Sequence, residues 1–270
     1  MGTIISLIAS WMGYALRFFY DITLNYGFAI ILFTIFVKIV LIPLTLKQQK
    51  SLKASQELQP ILLEIQNKYK NNPEKQQQEL ARIYQEKKIN PFGGCLLMLI
   101  QFPIILAMFY AVAQPITYMF PEELNNPVVV TAIEEYKDYK TYKEVYYISN
   151  ERKELLNTNF IGLDLAQVPS SNKANIILWI IPVLSALTTY MSSKITMKQT
   201  NQSSAKSPSE GEEQAVAMQK NMSIVLPLMT AYISFIVPLG MGLYWLVNNI
   251  VSMLIQIWVM KKVNNTPNAK

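Results

Sequence analysis

Histidine is absent from the 270 residues and cysteine occurs once, at Cys95. The first absence removes the commonest metal ligand and any Ser-His or Cys-His relay, and the second leaves no internal disulfide. Cys95 is expected to pack as a small apolar residue. No G-x-x-x-x-G-K-[ST] stretch is available to cradle nucleotide phosphates. Charge is scarce: 16% of residues are charged, against about a quarter in ordinary soluble domains. It is also segregated, so that residues 22–46, 89–121, 174–193 and 221–260 contain no Asp or Glu. An aspartyl intramembrane protease and a carboxylate or histidine proton relay are therefore excluded. The chain is not expected to be an enzyme or to hold a cofactor or metal.

What is present is apolar sequence, 51% of the chain, gathered into those four runs. A helix needs about 20 residues to cross a hydrocarbon core of roughly 30 Å. Each run is long enough, and the last can cross twice if it turns at Pro238-Leu239-Gly240. Continuous apolar sequence implies helices, because barrel strands alternate in polarity. The expected fold is an all-α polytopic membrane protein, a bundle of five transmembrane helices at 23–46, 91–118, 174–192, 218–237 and 240–260.

Basic flanks stay in the cytoplasm. Residues 47–90 hold nine basic and five acidic side chains, and residues 119–173 hold six and nine. The former is expected as a cytoplasmic helical hairpin and the latter as an extracytoplasmic loop. Residues 193–217 become a cytoplasmic linker and 261–270 a basic cytoplasmic tail, with the N-terminus outside the bacterial plasma membrane. In the hairpin, Leu58, Ile61, Leu62, Ile65 and Tyr69 mark one helical face, Asn71-Asn72-Pro73 breaks it, and Leu80, Ile83 and Tyr84 mark a second helix. In the loop, Tyr136, Tyr139, Tyr142 and Tyr146 suggest a short surface helix.

Residues 1–22 lack the basic start of a signal peptide. Thr3, Ser6, Ser10, Gly13 and Arg17 recur at helical spacing opposite Ile4, Ile5, Ile8, Trp11, Met12 and Ala15. This predicts an amphipathic helix in the outer membrane interface, with a sixth span as the alternative. Trp11, Trp179, Trp245 and Trp258 fall near the ends of embedded segments, where amphipathic rings collect.

Lys38 is the one charge inside the first span. Counted from Lys47 along a straight helix it lies roughly 13 Å deep, at a cost of about 2.5 to 3.5 kcal/mol. No carboxylate in any span can neutralise it. Its available partners are water, backbone carbonyls and neutral side chains such as Thr34, Gln101, Ser185, Thr188, Ser192 and Tyr244, with Trp245 beside the last. The functional reading is a water-containing groove carrying one fixed positive charge. The alternative is a lysine that only stabilises the bundle through carbonyl contacts.

Four stretches together resemble the YidC insertase family, the bacterial relatives of the Oxa and Alb insertases: YGFAIILFTIFVKIVLIPLTLKQQKS at 26–51, NPFGGCLLMLIQFPI at 90–104, IIPVLSALTTYMSSK at 180–194 and FIVPLGMGLYWLVNNI at 235–250. They stand in the family's order, and the resemblance covers the chain from Leu24 to Met260. It implies insertion and folding of nascent membrane proteins, alone or beside the Sec translocon, through a hydrophilic groove open to cytoplasm and lipid. The family's groove arginine falls on Lys38, which keeps the charge but not the five-donor fork. A glutamine common in the third helix falls on Ser192, and a proline common after the cysteine of the second falls on Leu97. The lipid-attachment cysteine of many single-membrane relatives is missing, so no lipid anchor is expected.

On this reading the implied partners are nascent membrane proteins, the Sec translocon, the lipid bilayer and, transiently, the ribosome through the basic linker and tail. Rival readings of the same cavity are a small-solute or anion channel, for which Lys38 would favour anions, and a non-catalytic assembly chaperone.

Overall fold

A computed structural model of the chain describes residues 3–87, 96–201 and 210–265. Most of them are helical. They cluster into two compact units, one drawn from residues 3–40, 100–189 and 227–251 and one from residues 41–87, 96–99, 190–201, 210–226 and 252–265.

The first unit begins with α1 (Thr3–Thr23) and α2 (Tyr26–Val40). Leu24 ends α1 in the left-handed conformation, at φ 51°, and donates its N–H back to the Tyr20 carbonyl at 2.7 Å. Asn25 then caps α2, its Oδ1 accepting from the N–H groups of Gly27 (3.1 Å) and Phe28 (3.3 Å). Ala9, Met12, Leu16 and Tyr20 on one side of α1 are buried, whereas Ile4, Leu7, Trp11, Tyr14, Phe18 and Ile22 are exposed. α1 is therefore apolar on two faces. Only Gly fits at position 13, since a Cβ there would collide with the backbone carbonyl of Tyr118. α5 (Leu96–Ala113) and α6 (Pro115–Tyr118) add Met108 and Ile116 to the core, and Met119, just after α6, joins them.

Residues 119–179 fold as short pieces: a 3₁₀ turn at Pro121–Asn125, α7 (Pro127–Glu135) capped by Asn126, a 3₁₀ segment at Lys137–Tyr142, α8 (Lys143–Glu151), and strands β1 (Asn159–Phe160) and β2 (Leu163–Asp164). The two strands pair antiparallel, Asn159 with Asp164 and Phe160 with Leu163, a small ladder that the sequence did not suggest within a mostly helical chain. The tyrosine-rich stretch is not one helix. Lys140 at φ 50° interrupts it, and the rings of Tyr139 and Tyr146 stack at 3.9 Å. Buried Glu144 accepts from the Thr117 N–H at 2.8 Å and the Thr117 hydroxyl at 2.5 Å.

After a 3₁₀ turn at Ile176–Trp179, α9 runs from Ile180 to Asn201, α10 from Glu210 to Ile236 and α11 from Leu239 to Asn265. The break at Pro238 falls where the sequence suggested it. Two of the first N–H groups of α11, which no helical carbonyl can satisfy, are taken up by the 119–179 segment: Leu239 donates to Gln167 O and Gly240 to Leu165 O, both at 2.9 Å.

The second unit contains α3 (Ile42–Lys68) and α4 (Pro73–Glu86). Asn72 caps α4 by accepting from the Lys75 N–H at 3.1 Å, and Gln76 Nε2 reaches back to the Gln66 carbonyl at 3.0 Å. The first apolar run was expected as one helix from Leu24 to Leu46; the helix instead breaks at Leu41, with Pro43 in the first turn of α3. The straight-helix depth of roughly 13 Å for Lys38 does not apply across that break.

Among the described residues, Ile176–Thr196 and Leu239–Lys262 are each long and apolar enough to cross a membrane, and Tyr26–Val40 with Ile42–Ser55 make a third if counted as one broken span. Phe102–Ala113 and Ser223–Ile236 are shorter apolar helices.

Candidate intramembrane polar site

Two polar groupings lie inside the apolar helices of the first unit. On α2, Thr34 and Lys38 are one turn apart on one side of the helix. Thr34 is buried and donates to the Ile30 carbonyl at 2.6 Å, so its hydroxyl is committed to its own helix. Lys38 is half-buried, and among the described residues it makes no hydrogen bond or ion pair. Among the described residues no carboxylate pairs with its ammonium.

The second grouping joins α9 to α11. Ser185 is buried and donates to the Gly242 carbonyl at 3.2 Å. The helices are close here because position 242 has no side chain: a Cβ would lie 2.7 Å from Ile181 Cγ2. Thr188 turns its hydroxyl back to the carbonyls of Leu184 (2.9 Å) and Ser185 (3.1 Å). Asn249 Nδ2 donates to Thr189 Oγ1 at 2.7 Å and more distantly to Thr188 Oγ1 at 3.5 Å. Buried Asn248 Oδ1 and Ser234 Oγ have no hydrogen-bond partner among the described residues.

Of the residues expected to face a groove, Ser185 and Thr188 are brought together in this seam. Tyr244 is buried in the apolar core and Trp245 beside it is half-buried. No hydrogen bond among the described residues joins Lys38 or Thr34 to the seam. Ser192 belongs to the second unit and is half-buried, its carbonyl accepting from Thr196 Oγ1 at 3.1 Å. The side chain of Gln101, like all of Cys95, lies outside the described residues. Asn248, Asn249 and Ser234 were missed from sequence. The adjacent amides in an otherwise apolar run, LVNNI, were the available signal, because a polar side chain in hydrocarbon needs a partner. No group of acidic or cysteine side chains among the described residues could hold a metal ion.

Long apolar helices, two of them joined by a hydrogen-bonded polar seam, are the features of a helical membrane protein. A family model described as 60Kd inner membrane protein matches residues 18–266. The chain is 31% identical to a protein named membrane protein insertase YidC from Caldanaerobacter subterraneus, over 94% of this chain and 95% of that one. A Fusobacterium nucleatum protein of the same name is 28% identical, with 97% and 99% coverage. Against the Geobacter metallireducens protein, also 28% identical and so named, the chain spans only 38% of the relative's length. The fold matches a crystal structure described as an active YidC insertase with its first transmembrane domain resolved, at a TM-score of 0.55 and 23% identity, over 94% of this chain and 46% of that one. The chain belongs to the YidC family of inner-membrane proteins.

Proposed function

We propose that the chain is a membrane protein insertase that receives nascent membrane proteins and eases their polar flanks across the bilayer without nucleotide hydrolysis. The observation that carries this reading is Lys38, an intramembrane ammonium with no acidic partner anywhere in the apolar runs. Such a residue is expensive in hydrocarbon and tolerable beside water. A hydrated, positively charged groove lowers the several kcal/mol needed to desolvate each charge of a translocating tail. Acidic tails benefit most. The client's apolar segment then moves sideways into lipid, where its burial is favourable.

In this reading the apolar runs make five spans, with the 119–173 segment outside and α3–α4 in the cytoplasm, as the basic residues of 47–90 favour. The N-terminus lies outside and the C-terminus inside. The α3–α4 pair receives the client, the Sec translocon cooperates for larger clients, and the basic linker and tail touch ribosomal phosphates.

Purified chain in liposomes, supplied with a single-span client that has an acidic translocated tail, tests the proposal. Insertion by the wild type and by Lys38→Arg, with loss in Lys38→Ala, is expected. Ion flux through the liposomes without client insertion would overturn it in favour of a channel.

A further inference from the structure

The tip of the β1–β2 hairpin is conformationally costly and chemically bare. The two-residue turn is Ile161-Gly162, with both residues at positive φ, 53° and 80°. Turns of this kind favour Asn-Gly or Asp-Gly, because a β-branched side chain is crowded in the left-handed region. Ile161 is nevertheless there, and it is 81% exposed. Leu24, 68% exposed at φ 51°, repeats the pattern. Two of the three left-handed non-glycine residues described are thus aliphatic and bare.

The fold pins these two positions to one helix end. Asn25 Nδ2 donates to the Asn159 carbonyl at 2.8 Å, and the Tyr26 N–H donates to the Asn157 carbonyl at 3.0 Å. Phe160 lies so close on Gly27 that a Cβ there would enter its ring, and its ring meets Phe28 edge-on at 5.2 Å. Phe28 in turn heads an exposed stripe that continues through Leu32, Phe36 and Ile39, at spacings of four and three residues along one side of α2, and exposed Leu24 lies just before that helix. In a membrane protein such a stripe faces lipid.

Several of the hairpin's polar groups are hydrogen-bonded within the chain. Asp164 accepts from Ser149 Oγ (2.5 Å), Thr158 Oγ1 (2.8 Å) and the Ala166 N–H (3.0 Å). Asn157 Oδ1 takes the Asn159 N–H at 3.1 Å and Asn159 Oδ1 the Gly162 N–H at 3.2 Å. No charged side chain stands between Glu154 and Asp164, and the exposed Ile161 at the apex gains when an apolar surrounding removes it from water.

We infer that the Ile161 tip is a lipid anchor: it continues the exposed stripe of α2 into acyl chains just below the headgroups, and so sets how deep this end of α2 sits. The inference rests on the membrane embedding of α2 and not on the insertase reading. The test uses full-length chain in phosphatidylglycerol–phosphatidylethanolamine vesicles, carrying Ile161→Cys in a Cys95→Ser background and labelled with an environment-sensitive fluorophore. Asn150→Cys, at the exposed C-terminal end of the otherwise largely buried α8, is the comparison site. Nitroxide lipids spin-labelled high on the acyl chain are expected to quench position 161 several-fold more than position 150, and a water-soluble maleimide to react several-fold more slowly there. Equal quenching and equal reactivity at the two sites overturn the anchor. So does protection that comes without quenching and grows with the protein-to-lipid ratio, which points to a second copy of the chain. Ile161→Asn gives an independent reading, since asparagine relieves the turn. Its unfolding midpoint in detergent should match or exceed wild type, while its gain on transfer to vesicles should be smaller; an equal gain overturns the proposal.

Discussion

Asn249 and Thr189 are hydrogen-bonded at 2.7 Å between α11 and α9, amide to hydroxyl, inside the apolar part of both helices. Interhelical bonds of this type contribute about 0.6 kcal/mol on average and up to about 1.7. Asn249→Leu and Thr189→Val should each lower stability by such an amount in mixed-micelle unfolding. The double variant should lose less than the sum of the two. Strict additivity would mean that the bond contributes nothing.

Charge at position 38 should govern which clients pass. Lys38→Glu is expected to slow insertion of clients with acidic tails by about tenfold, equivalent to ~1.4 kcal/mol, and to spare clients with basic tails. Insertion yield measured over a client series with graded tail charge checks this. A uniform loss across the series would assign Lys38 a purely structural role.

Burial of Glu144 pushes its carboxyl above the ordinary value of 4.5, although its bonds to Thr117 pull the other way. The folded chain therefore holds that proton to higher pH than the unfolded chain does, and stability falls as pH rises from about 4.5 through the raised value. Glu144→Gln should flatten the slope of stability against pH in that window. Glu144→Ala should cost about 1 to 3 kcal/mol by leaving the Thr117 N–H buried without an acceptor.

At Gly13 the obstacle to a side chain is main chain, not a rotatable group. Gly13→Ala should destabilise by about 1 to 3 kcal/mol, as overpacked sites do, and should raise the protease sensitivity of α1. Unchanged digestion of residues 3–23 would show that α1 does not rest on the Tyr118 carbonyl.

The sequence made the helical runs, the turns at Asn72 and Pro238, and Lys38 legible, because each depends on local composition or on a charge where none belongs. The break at Leu41 was less so. Pro43 was visible, but a proline near a helix end reads equally as the first turn of a new helix. The β-hairpin escaped because its turn carries isoleucine where turn chemistry asks for asparagine. The second face of α1 escaped because exposure of Leu7, Phe18 and Ile22 is decided by packing partners far away in sequence. The seam was half legible: Ser185 and Thr188 were singled out, whereas Asn249, which ties the two helices, was not.

The carbonyls of Leu165 and Gln167 hold the first turn of α11, and they are made more than seventy residues before it. During synthesis the two acceptors of this socket are therefore in the chain before the last helical pair is made. A chain truncated after α9 would keep that socket, whereas one with its 157–167 region scrambled would release α11 with two open N–H groups at its start. The biogenesis of this chain is in that respect a small instance of ordered assembly, with early segments serving as template for late ones.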